Sequence, residues 1–331
     1  MMIAKEKLSR QIIFIKVFFV VILFACSDVE ENSGIELMES FGLVNVSVCN
    51  IRSEPSHRAE LITQALMGTP VTIMKSDRGW YYIQTPEFYE GWVDGAALSE
   101  MNQDEFDKWK DSDRILYLEK YGETRADTLT MSVVTDLVAG CIVVLIDESG
   151  DYYRIALPDG REGYIRKQQC AVFSKWLSDI RPDEQNLKNM ALTCMGIPYL
   201  WGGTSIKGFD CSGFVKTLYY LNGLILARDA SQQFMYGEII SKEAYPDSLR
   251  IGDLMFFGYH RDGSPRPTHV GMYIGDTEFI HASGMVKINS LDSTRSNFSP
   301  GRRDSFLGVR RIIGAESGEG LQPVATHPWY N

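Results

Sequence analysis

Several features that mark common kinds of site are missing from this sequence of 331 residues. We find no paired carboxylates, no His and Cys residues at metal-ligand spacing and no glycine-rich phosphate loop. Acidic residues exceed basic ones to give a formal net charge of -10, which disfavours nucleic acid as a partner. We therefore expect a monomer that needs no metal ion, no cofactor and no nucleic acid.

Long apolar runs are missing too. The run Val17–Ala25 follows several basic residues and is too short to span a bilayer comfortably. It leads into Cys26 in a pattern that resembles a bacterial lipobox. That resemblance implies a signal peptide at 1–26, lipidation of Cys26, a polar tether at 27–43, and a lipoprotein facing the periplasm or the cell surface. An ordinary signal peptide or an uncleaved anchor is the alternative, and in either case the chain is exported.

The six cysteines show no tight disulfide framework. Export would permit disulfides, yet a chain of this size does not need them. Apart from Cys26 and Cys211, we expect mostly small buried thiols, with a bridge between Cys141 and Cys170 as the alternative. The remaining four cysteines are Cys49, Cys141, Cys170 and Cys194.

The middle of the chain contains a weak internal repeat. A stretch beginning at Gly68 matches one beginning at Gly140 without a gap, an offset of 72 residues. Both copies consist of short β-branched and aromatic runs broken by Gly, Pro and Asp, which is typical of small β-barrels. The repeat predicts one barrel at 44–100 and a second at 115–174, with a linker helix at 101–114.

The pattern changes after Pro182. A predicted helix ends at Gly196, and a second one begins after Asp210, which is a suitable N-cap. Four short β-patterned runs follow, which are "DLMFFG", "HVGMYIG", "EFIHAS" and "FLGVRRII". Helices followed by an antiparallel sheet predict an α+β domain at 180–314, with 315–331 as a tail.

Cys211 lies in the first turn of the second predicted helix. The helix dipole and unpaired backbone amides at that position favour the thiolate. A nucleophilic thiol also needs a base within hydrogen-bond reach. A catalytic Cys211 therefore requires a histidine that the fold brings next to it.

Only five histidines are available, and two of them lie in the β-patterned region. A hairpin closed by the three residues 275–277 would place His281 opposite Gly271. His269 would then be the diagonal neighbour of His281 on the same face, about 7 Å away between Cα atoms. The other histidines have no evident partner and are predicted to lie on the surface; they are His57, His260 and His327.

Four separate blocks resemble the signature of the NlpC/p60 family of papain-like cysteine peptidases: "GIPYLWGGTSIKGFDCSGFV", "IGDLMFF", "THVGMYIGD" and "FIHASG". The resemblance covers about residues 185–313. It implies that Cys211 is the nucleophile, His269 the general base and His281 the orienting residue. It also implies that Tyr199 hydrogen-bonds near the oxyanion, although a core aromatic is the alternative reading of Tyr199.

The two barrels resemble bacterial SH3-like (SH3b) domains. With two such domains before the catalytic domain, the chain looks like the γ-D-glutamyl-L-diamino acid peptidases of this family. They release L-Ala-γ-D-Glu from peptidoglycan fragments whose alanine amine is free. The resemblance therefore implies peptidoglycan-derived peptides as substrates and a role in cell wall recycling.

A buried ammonium group needs a carboxylate and further acceptors to offset its lost hydration. By position, the family's acidic residue at the amine pocket corresponds to Asp229. Relatives often have serine directly after it, whereas this chain has Ala230. In such enzymes the first SH3b domain adds an acidic residue and a tyrosine, for which we take Glu54 and Tyr89. A solvated Glu54 and a Tyr89 packed in the barrel are the alternatives.

Two residues that flank the nucleophile, Asp210 and Ser212, either touch the substrate or cap the helix. Two other functions remain open from the sequence. One is an endopeptidase on intact peptidoglycan that uses its SH3b domains as wall anchors. The other is a non-catalytic lipoprotein that binds wall peptides, which the Cys-His-His set disfavours because a binding module needs no activated thiol.

Overall fold

The structure is a computed structural model that describes residues 35–331 apart from Met131, Lys242 and Ala244, with the backbone alone described for 35–39. The predicted signal peptide and Cys26 lie outside the described residues. No helix in the described part of the chain is long and apolar enough to cross a membrane.

The first barrel contains seven strands: β1 (Ile35–Val44), β2 (Val48–Arg52), β3 (Leu61–Leu66), β4 (Pro70–Asp77), β5 (Trp80–Gln84), β6 (Glu90–Asp94) and β7 (Leu98–Met101). They form one sheet in the order β3-β2-β6-β5-β4-β1-β7. Strand β1 shows that the predicted tether at 27–43 was wrong from residue 35 onward, because β1 pairs with both β4 and β7; residues 27–34 lie outside the described residues. Pairing on both sides makes β1 part of the barrel.

The linker helix α1 (Gln103–Asp111) forms inside the predicted range. Asn102 and Glu105 close a capping box at its start, which satisfies two backbone donors. Phe106 and Trp109 are buried on its inner face, and Phe106 stacks on Phe41 with ring centroids 4.2 Å apart. The helix therefore packs against the first barrel through these aromatic side chains.

The second barrel repeats the first. Its strands are β8 (Arg114–Tyr117), β9 (Tyr121–Arg125), β10 (Val133–Val138), β11 (Ile142–Ser149), β12 (Tyr152–Ala156), β13 (Glu162–Arg166) and β14 (Cys170–Val172). They are ordered β10-β9-β13-β12-β11-β8-β14, as in the first sheet. Strands β4, β5 and β6 begin 72 residues before β11, β12 and β13 respectively, so the predicted repeat is confirmed.

The rest of the chain combines helices and a larger sheet. Its helices are α2 (Phe173–Asp179), α3 (Glu184–Thr193), α4 (Cys211–Tyr220), α5 (Ala230–Gln233) and α6 (Pro300–Asp304). Its strands are β15 (Thr204–Ser205), β16 (Gly208–Phe209), β17 (Leu224–Leu226), β18 (Glu238–Ile240), β19 (Leu254–Arg261), β20 (Ser264–Gly275), β21 (Glu278–Ser283), β22 (Met285–Ser290), β23 (Phe306–Arg311) and β24 (Leu321–Pro323). Six of them form the antiparallel sheet β18-β23-β19-β20-β21-β22, against which α4 packs.

The first barrel is joined to this α+β region by buried polar contacts. The backbone N–H of Thr204 donates to Gln64 Oε1 at 3.0 Å, and the Thr204 hydroxyl donates to the Gln64 carbonyl at 3.0 Å. Gly202 approaches β3 so closely that a Cβ there would lie 2.5 Å from the Leu61 carbonyl oxygen. Strand β3 is therefore held against the loop that precedes α4.

One histidine of the tail lies in a different environment from the one predicted. His327, predicted to lie on the surface, is 2% exposed and donates from Nε2 to the Pro86 carbonyl at 3.1 Å. His57 is exposed but does have a partner, since its Nε2 lies 3.4 Å from Asp94 Oδ2. Several side chains of the tail are buried because β24 pairs with β17; they include Leu321, Val324 and Tyr330.

The five cysteines in the described part of the chain are free thiols, so the alternative bridge between Cys141 and Cys170 is not formed. Cys49, Cys141 and Cys194 are buried, and Cys170 is half-buried. Burial raises the pKa of both Cys49 and Cys141 to about 12, which leaves them protonated near neutral pH. These two thiols are packing groups.

Candidate active site

Helix α4 begins at Cys211, as the sequence predicts, because Asp210 caps it. Asp210 Oδ1 accepts from the Gly213 backbone N–H at 2.7 Å, and Oδ2 accepts from the Gly202 N–H at 3.0 Å. Asp210 therefore has the capping role that the sequence left as an alternative. Cys211 itself is 7% exposed and lies at the edge of a cleft.

Arg228 holds the cap in place, a role that the sequence analysis missed. Its side chain is 1% exposed, and its Nη2 lies 2.5 Å from Asp210 Oδ2. It also donates from Nη1 to Ser212 Oγ at 3.0 Å and from Nε to Thr63 Oγ1 of the first barrel at 2.7 Å. The Arg directly before Asp229 in "ARDASQQ" was the available signal.

The two histidines of the β-patterned region meet across strands β20 and β21. His269 Nε2 and His281 Nδ1 are 2.7 Å apart. A Cβ added at Gly271 would lie 3.1 Å from His281 Cβ, so glycine leaves space beside the pair. The structure therefore brings together the histidines that the hairpin argument placed on one face.

The hairpin turn itself differs from the prediction. Met272 pairs with Ile280 in the expected register, but Gly275 rather than Ile274 faces Glu278. The turn consists of Asp276 and Thr277, with φ angles of 53° and 65°. A two-residue turn of this kind matches the twist of the strands, and a bulge at Ile274 absorbs the extra residue.

Asn289, on β22, completes this polar group and was not identified from the sequence. His281 Nε2 lies 2.9 Å from Asn289 Oδ1. In the β21–β22 pairing, Lys287 lies opposite His281 and Asn289 lies opposite Phe279. The alternation of "MVKINS" would have placed Asn289 beside His281 had the β21–β22 register been known.

Burial controls the charge of these groups. It lowers the pKa of His269 well below 6.5 and that of His281 to about 4, and the positive charge of Arg302 acts in the same direction. Burial also raises the pKa of Cys211, with a further contribution from the charge of Asp210. The backbone N–H of Ser212 opposes this rise but does not reverse it. Burial therefore favours a neutral thiol beside neutral imidazoles, which opposes the effect predicted for the helix start.

A cleft of about 360 Å³ brings together most of the predicted catalytic and substrate-binding residues, although His281 and Glu54 do not line it. The catalytic region contributes Tyr199, Trp201, Asp210, Cys211, Ser212, Asp229, Ala230, Ser231, Pro267, Thr268 and His269, and the first barrel contributes Glu60, Ile62 and Tyr89. This volume suits a small peptide. The barrel forms one wall of the cleft.

Asp229 and Tyr89 meet across the domain boundary. The Tyr89 hydroxyl donates to Asp229 Oδ2 at 3.2 Å. Burial raises the pKa of Asp229, while the neighbouring charge of Arg228 opposes that rise. Burial and the charge of Asp229 raise the pKa of Tyr89 to about 12, so its hydroxyl remains a donor.

The first barrel contributes a different acidic residue to the cleft from the predicted Glu54. Glu54 is exposed and is not among the residues that line the cleft, whereas Glu60 is. Glu60 Oε1 accepts from Trp201 Nε1 at 2.7 Å. Glu60 directly precedes β3, which packs against the catalytic region, and Glu54 lies further back in the segment between β2 and β3. No group of three or more His, Cys, Asp or Glu side chains in the described residues could hold a metal ion.

Known proteins resemble this chain along most of its length. A family model described as the NlpC/P60 family matches residues 196–300, and a bacterial SH3 domain model matches residues 46–99. A gamma-D-glutamyl-L-lysine dipeptidyl-peptidase of Bacillus cereus is 33% identical over 273 residues, which cover 77% of this chain and 76% of that relative. The chain belongs to the NlpC/P60 family.

Two further matches agree with this assignment. Dipeptidyl-peptidase 6 of Lysinibacillus sphaericus is 32% identical over 269 residues, which cover 76% of this chain and 91% of that relative. The crystal structure of an NlpC/P60 family protein from Bacillus cereus matches with a TM-score of 0.71 and 26% identity, over 83% of this chain and 100% of the other. As a member of the NlpC/P60 family, the chain is a cysteine-type peptidase with an α+β fold that includes two SH3-like barrels.

Proposed function

We propose that the chain is a dipeptidyl-peptidase that hydrolyses the γ-D-glutamyl-diamino acid bond of peptidoglycan stem peptides and releases L-Ala-γ-D-Glu. The contact between Asp229 and Tyr89 beside Cys211 carries this proposal. A carboxylate and a tyrosine hydroxyl from two domains make a polar end to the cleft that suits the free ammonium of an N-terminal alanine. The name of the Bacillus cereus relative supports this bond specificity, and the names of both relatives support the release of a dipeptide.

In the proposed reaction, the Cys211 sulfur attacks the γ-carbonyl carbon of D-glutamate while His269 takes the thiol proton. The tetrahedral oxyanion then accepts hydrogen bonds from the Cys211 backbone N–H and the Tyr199 hydroxyl. Burial raises the pKa of Tyr199 to about 12, which keeps its hydroxyl protonated. His269 passes its proton to the departing amine, and water hydrolyses the resulting thioester.

The wall formed by the first barrel supports an exopeptidase. Glu60 and Tyr89 of the first barrel line the cleft, and Tyr89 contacts Asp229. A stem peptide attached to glycan through its alanine nitrogen lacks the ammonium group and would extend into this wall. We therefore assign the enzyme to the recycling of released fragments, and the alternative is an endopeptidase on intact peptidoglycan.

The test compares the tripeptide L-Ala-γ-D-Glu-diamino acid with its N-acetylated form by mass spectrometry. We expect cleavage of the free tripeptide after D-glutamate, and cleavage of the acetylated form slower by roughly 100-fold or more, because its buried acceptors would lose their partner. Asp229→Asn should reduce this discrimination, whereas Asp159→Asn, on the exposed β12–β13 turn, should preserve it. Equal cleavage of both peptides, or release of peptides from intact sacculi, would favour the endopeptidase.

We also propose that the chain is an exported lipoprotein anchored through Cys26. The basic start, the short apolar run and the lipobox-like ending support this proposal. Cys26→Ala should remove the protein from the membrane fraction and abolish labelling by a fatty acid analogue. Unchanged fractionation and labelling would contradict the anchor.

A further inference from the structure

A chain of hydrogen bonds continues beyond the second histidine. His269 Nε2 lies 2.7 Å from His281 Nδ1, and His281 Nε2 lies 2.9 Å from Asn289 Oδ1. Asn289 in turn donates from Nδ2 to the backbone carbonyl of Asn297 at 2.9 Å. This series of hydrogen bonds therefore ends at a backbone carbonyl, which can accept a hydrogen bond but cannot donate one.

This end point fixes the direction of every bond in the chain. Because the Asn297 carbonyl accepts, the amide of Asn289 must direct its NH₂ there and its oxygen toward His281. His281 must then carry its proton on Nε2, which leaves Nδ1 as an acceptor when the ring is neutral. His269 must donate from Nε2 to that acceptor, so its own Nδ1 carries the lone pair.

We propose that Asn289 is a positioning residue that fixes the tautomers of both histidines, so that His269 presents an unprotonated Nδ1 to the Cys211 thiol. This inference rests on the proposed function in taking His269 as the base. It goes beyond that function by assigning a fourth residue that does not line the cleft. Asn289 acts through His281 and His269 and touches no substrate.

The Asn297 carbonyl, at which this series of hydrogen bonds ends, is held in place by the fold. The Asn297 carbonyl also accepts from the Ser290 backbone N–H at 3.1 Å, and the Asn297 side chain donates to Glu278 Oε1 at 2.8 Å. Ser299 N–H donates to the Ser290 carbonyl at 2.9 Å. These bonds tie the loop at 291–299 to the end of β22, so the position of the acceptor is set by the fold.

The charges around the histidine pair favour neutral rings. Arg302 on α6 and Lys287 on β22 lower the pKa of both His269 and His281, and burial acts in the same direction with a larger effect. The hydrogen bond from His281 to Asn289 acts in the opposite direction. An amide at residue 289 supplies an acceptor without a negative charge, so it orients the rings without holding a proton on them.

Two variants at Asn289 test the proposal through the pH dependence of tripeptide hydrolysis. Asn289→Asp places a carboxylate against His281 and should move the acid limb of kcat/KM upward by roughly one to three pH units. Asn289→Leu removes the acceptor and should lower kcat by about 10- to 100-fold with little change in KM. Asn189→Asp, an exposed site on α3, is the matched control and should keep the wild-type profile.

Nitrogen NMR of isotope-labelled histidines provides a second readout that needs no substrate. We expect His269 and His281 of the wild type to be neutral with the proton on Nε2, and His281 of Asn289→Leu to lose this single tautomer. A wild-type His281 protonated on Nδ1, or an Asn289→Asp variant with the wild-type pH profile, would overturn the proposal. If the wild type does not cleave the tripeptide but shows these tautomers, only the proposed function fails.

Discussion

At the scale of single residues, burial favours the neutral forms of Cys211, His269 and His281. Cys211 and His269 are each 7% exposed, and His281 is 1% exposed. Removal from water penalises both the thiolate and the imidazolium, so in the proposed reaction the proton passes from Cys211 to His269 during the attack on the substrate. The positive N-terminal end of helix α4 and the nearby backbone N–H groups would then stabilise the negative charge that develops during the attack.

The lowered pKa of His269 gives a prediction about acid. A histidine whose pKa lies well below 6.5 stays neutral, and so able to accept a proton, as the pH falls through 6.5. We therefore expect the acid limb of kcat/KM to lie below pH 6.5. Initial rates on the free tripeptide between pH 4 and pH 9 measure this, and an acid limb at or above 6.5 would contradict a buried, neutral base.

Some residues of the site could be predicted from the sequence and others could not. Local context was sufficient for Cys211 and Asp210, because a helix start and its cap are adjacent in sequence. Arg228 and Asn289 were missed because their partners become neighbours only through tertiary folding. Glu54 was chosen instead of Glu60 because the sequence did not show which part of the first barrel faces the catalytic region.

At the scale of elements, helix α4 depends on an ion pair that is buried on both sides. The side chains of Arg228 and Asp210 are 1% and 9% exposed. Arg228→Met would leave Asp210 as an unpaired charge, so we expect a loss of about 3 to 5 kcal/mol in the free energy of unfolding. Urea denaturation followed by fluorescence measures the loss.

A matched control separates this effect from the general loss of an arginine. Arg154 pairs with Glu162 on the exposed face of the second barrel. Exposed pairs contribute at most about 1 kcal/mol, so Arg154→Met should change the stability far less. Equal losses for the two variants would contradict a special role for the buried pair.

Strand patterns were predictable where they repeat. The offset of 72 residues gave both barrels, because the same alternation and the same turn glycines recur, and Gly68 and Gly140 have φ angles of 77° and 98°. The β20–β21 turn was predicted with one residue too many, since neither Asp276 nor Thr277 is a glycine that would signal positive φ. Strand β1 was missed because the tether predicted from the polar stretch "SDVEENSG" was extended to residue 43, although Ile35–Val44 is largely apolar.

At the scale of the whole molecule, the wall that our proposal links to substrate choice belongs to a different domain from Cys211. Tyr89→Phe removes the hydroxyl that donates to Asp229 and keeps the ring. We expect KM for the free tripeptide to rise by about 10-fold with kcat nearly unchanged, because the lost hydrogen bond involves a charged group. Steady-state kinetics measures both constants.

The same barrel supplies a control for that substitution. The Tyr81 hydroxyl donates to Glu100 Oε2 at 3.2 Å, and Tyr81 does not line the cleft. Tyr81→Phe should therefore leave KM unchanged. A similar rise in KM for both variants would show that the barrel affects the enzyme through stability and not through the cleft.

The most direct test of the account uses an L-Ala-γ-D-Glu analogue with a chloromethyl ketone in place of the scissile amide. Mass spectrometry identifies the alkylated residue and gives the rate of alkylation for the free-amine and N-acetylated forms. We predict that Cys211 alone is labelled, and that the free-amine form reacts much faster. Labelling of a different residue, or equal rates for the two forms, would contradict a Cys211 nucleophile served by an amine pocket.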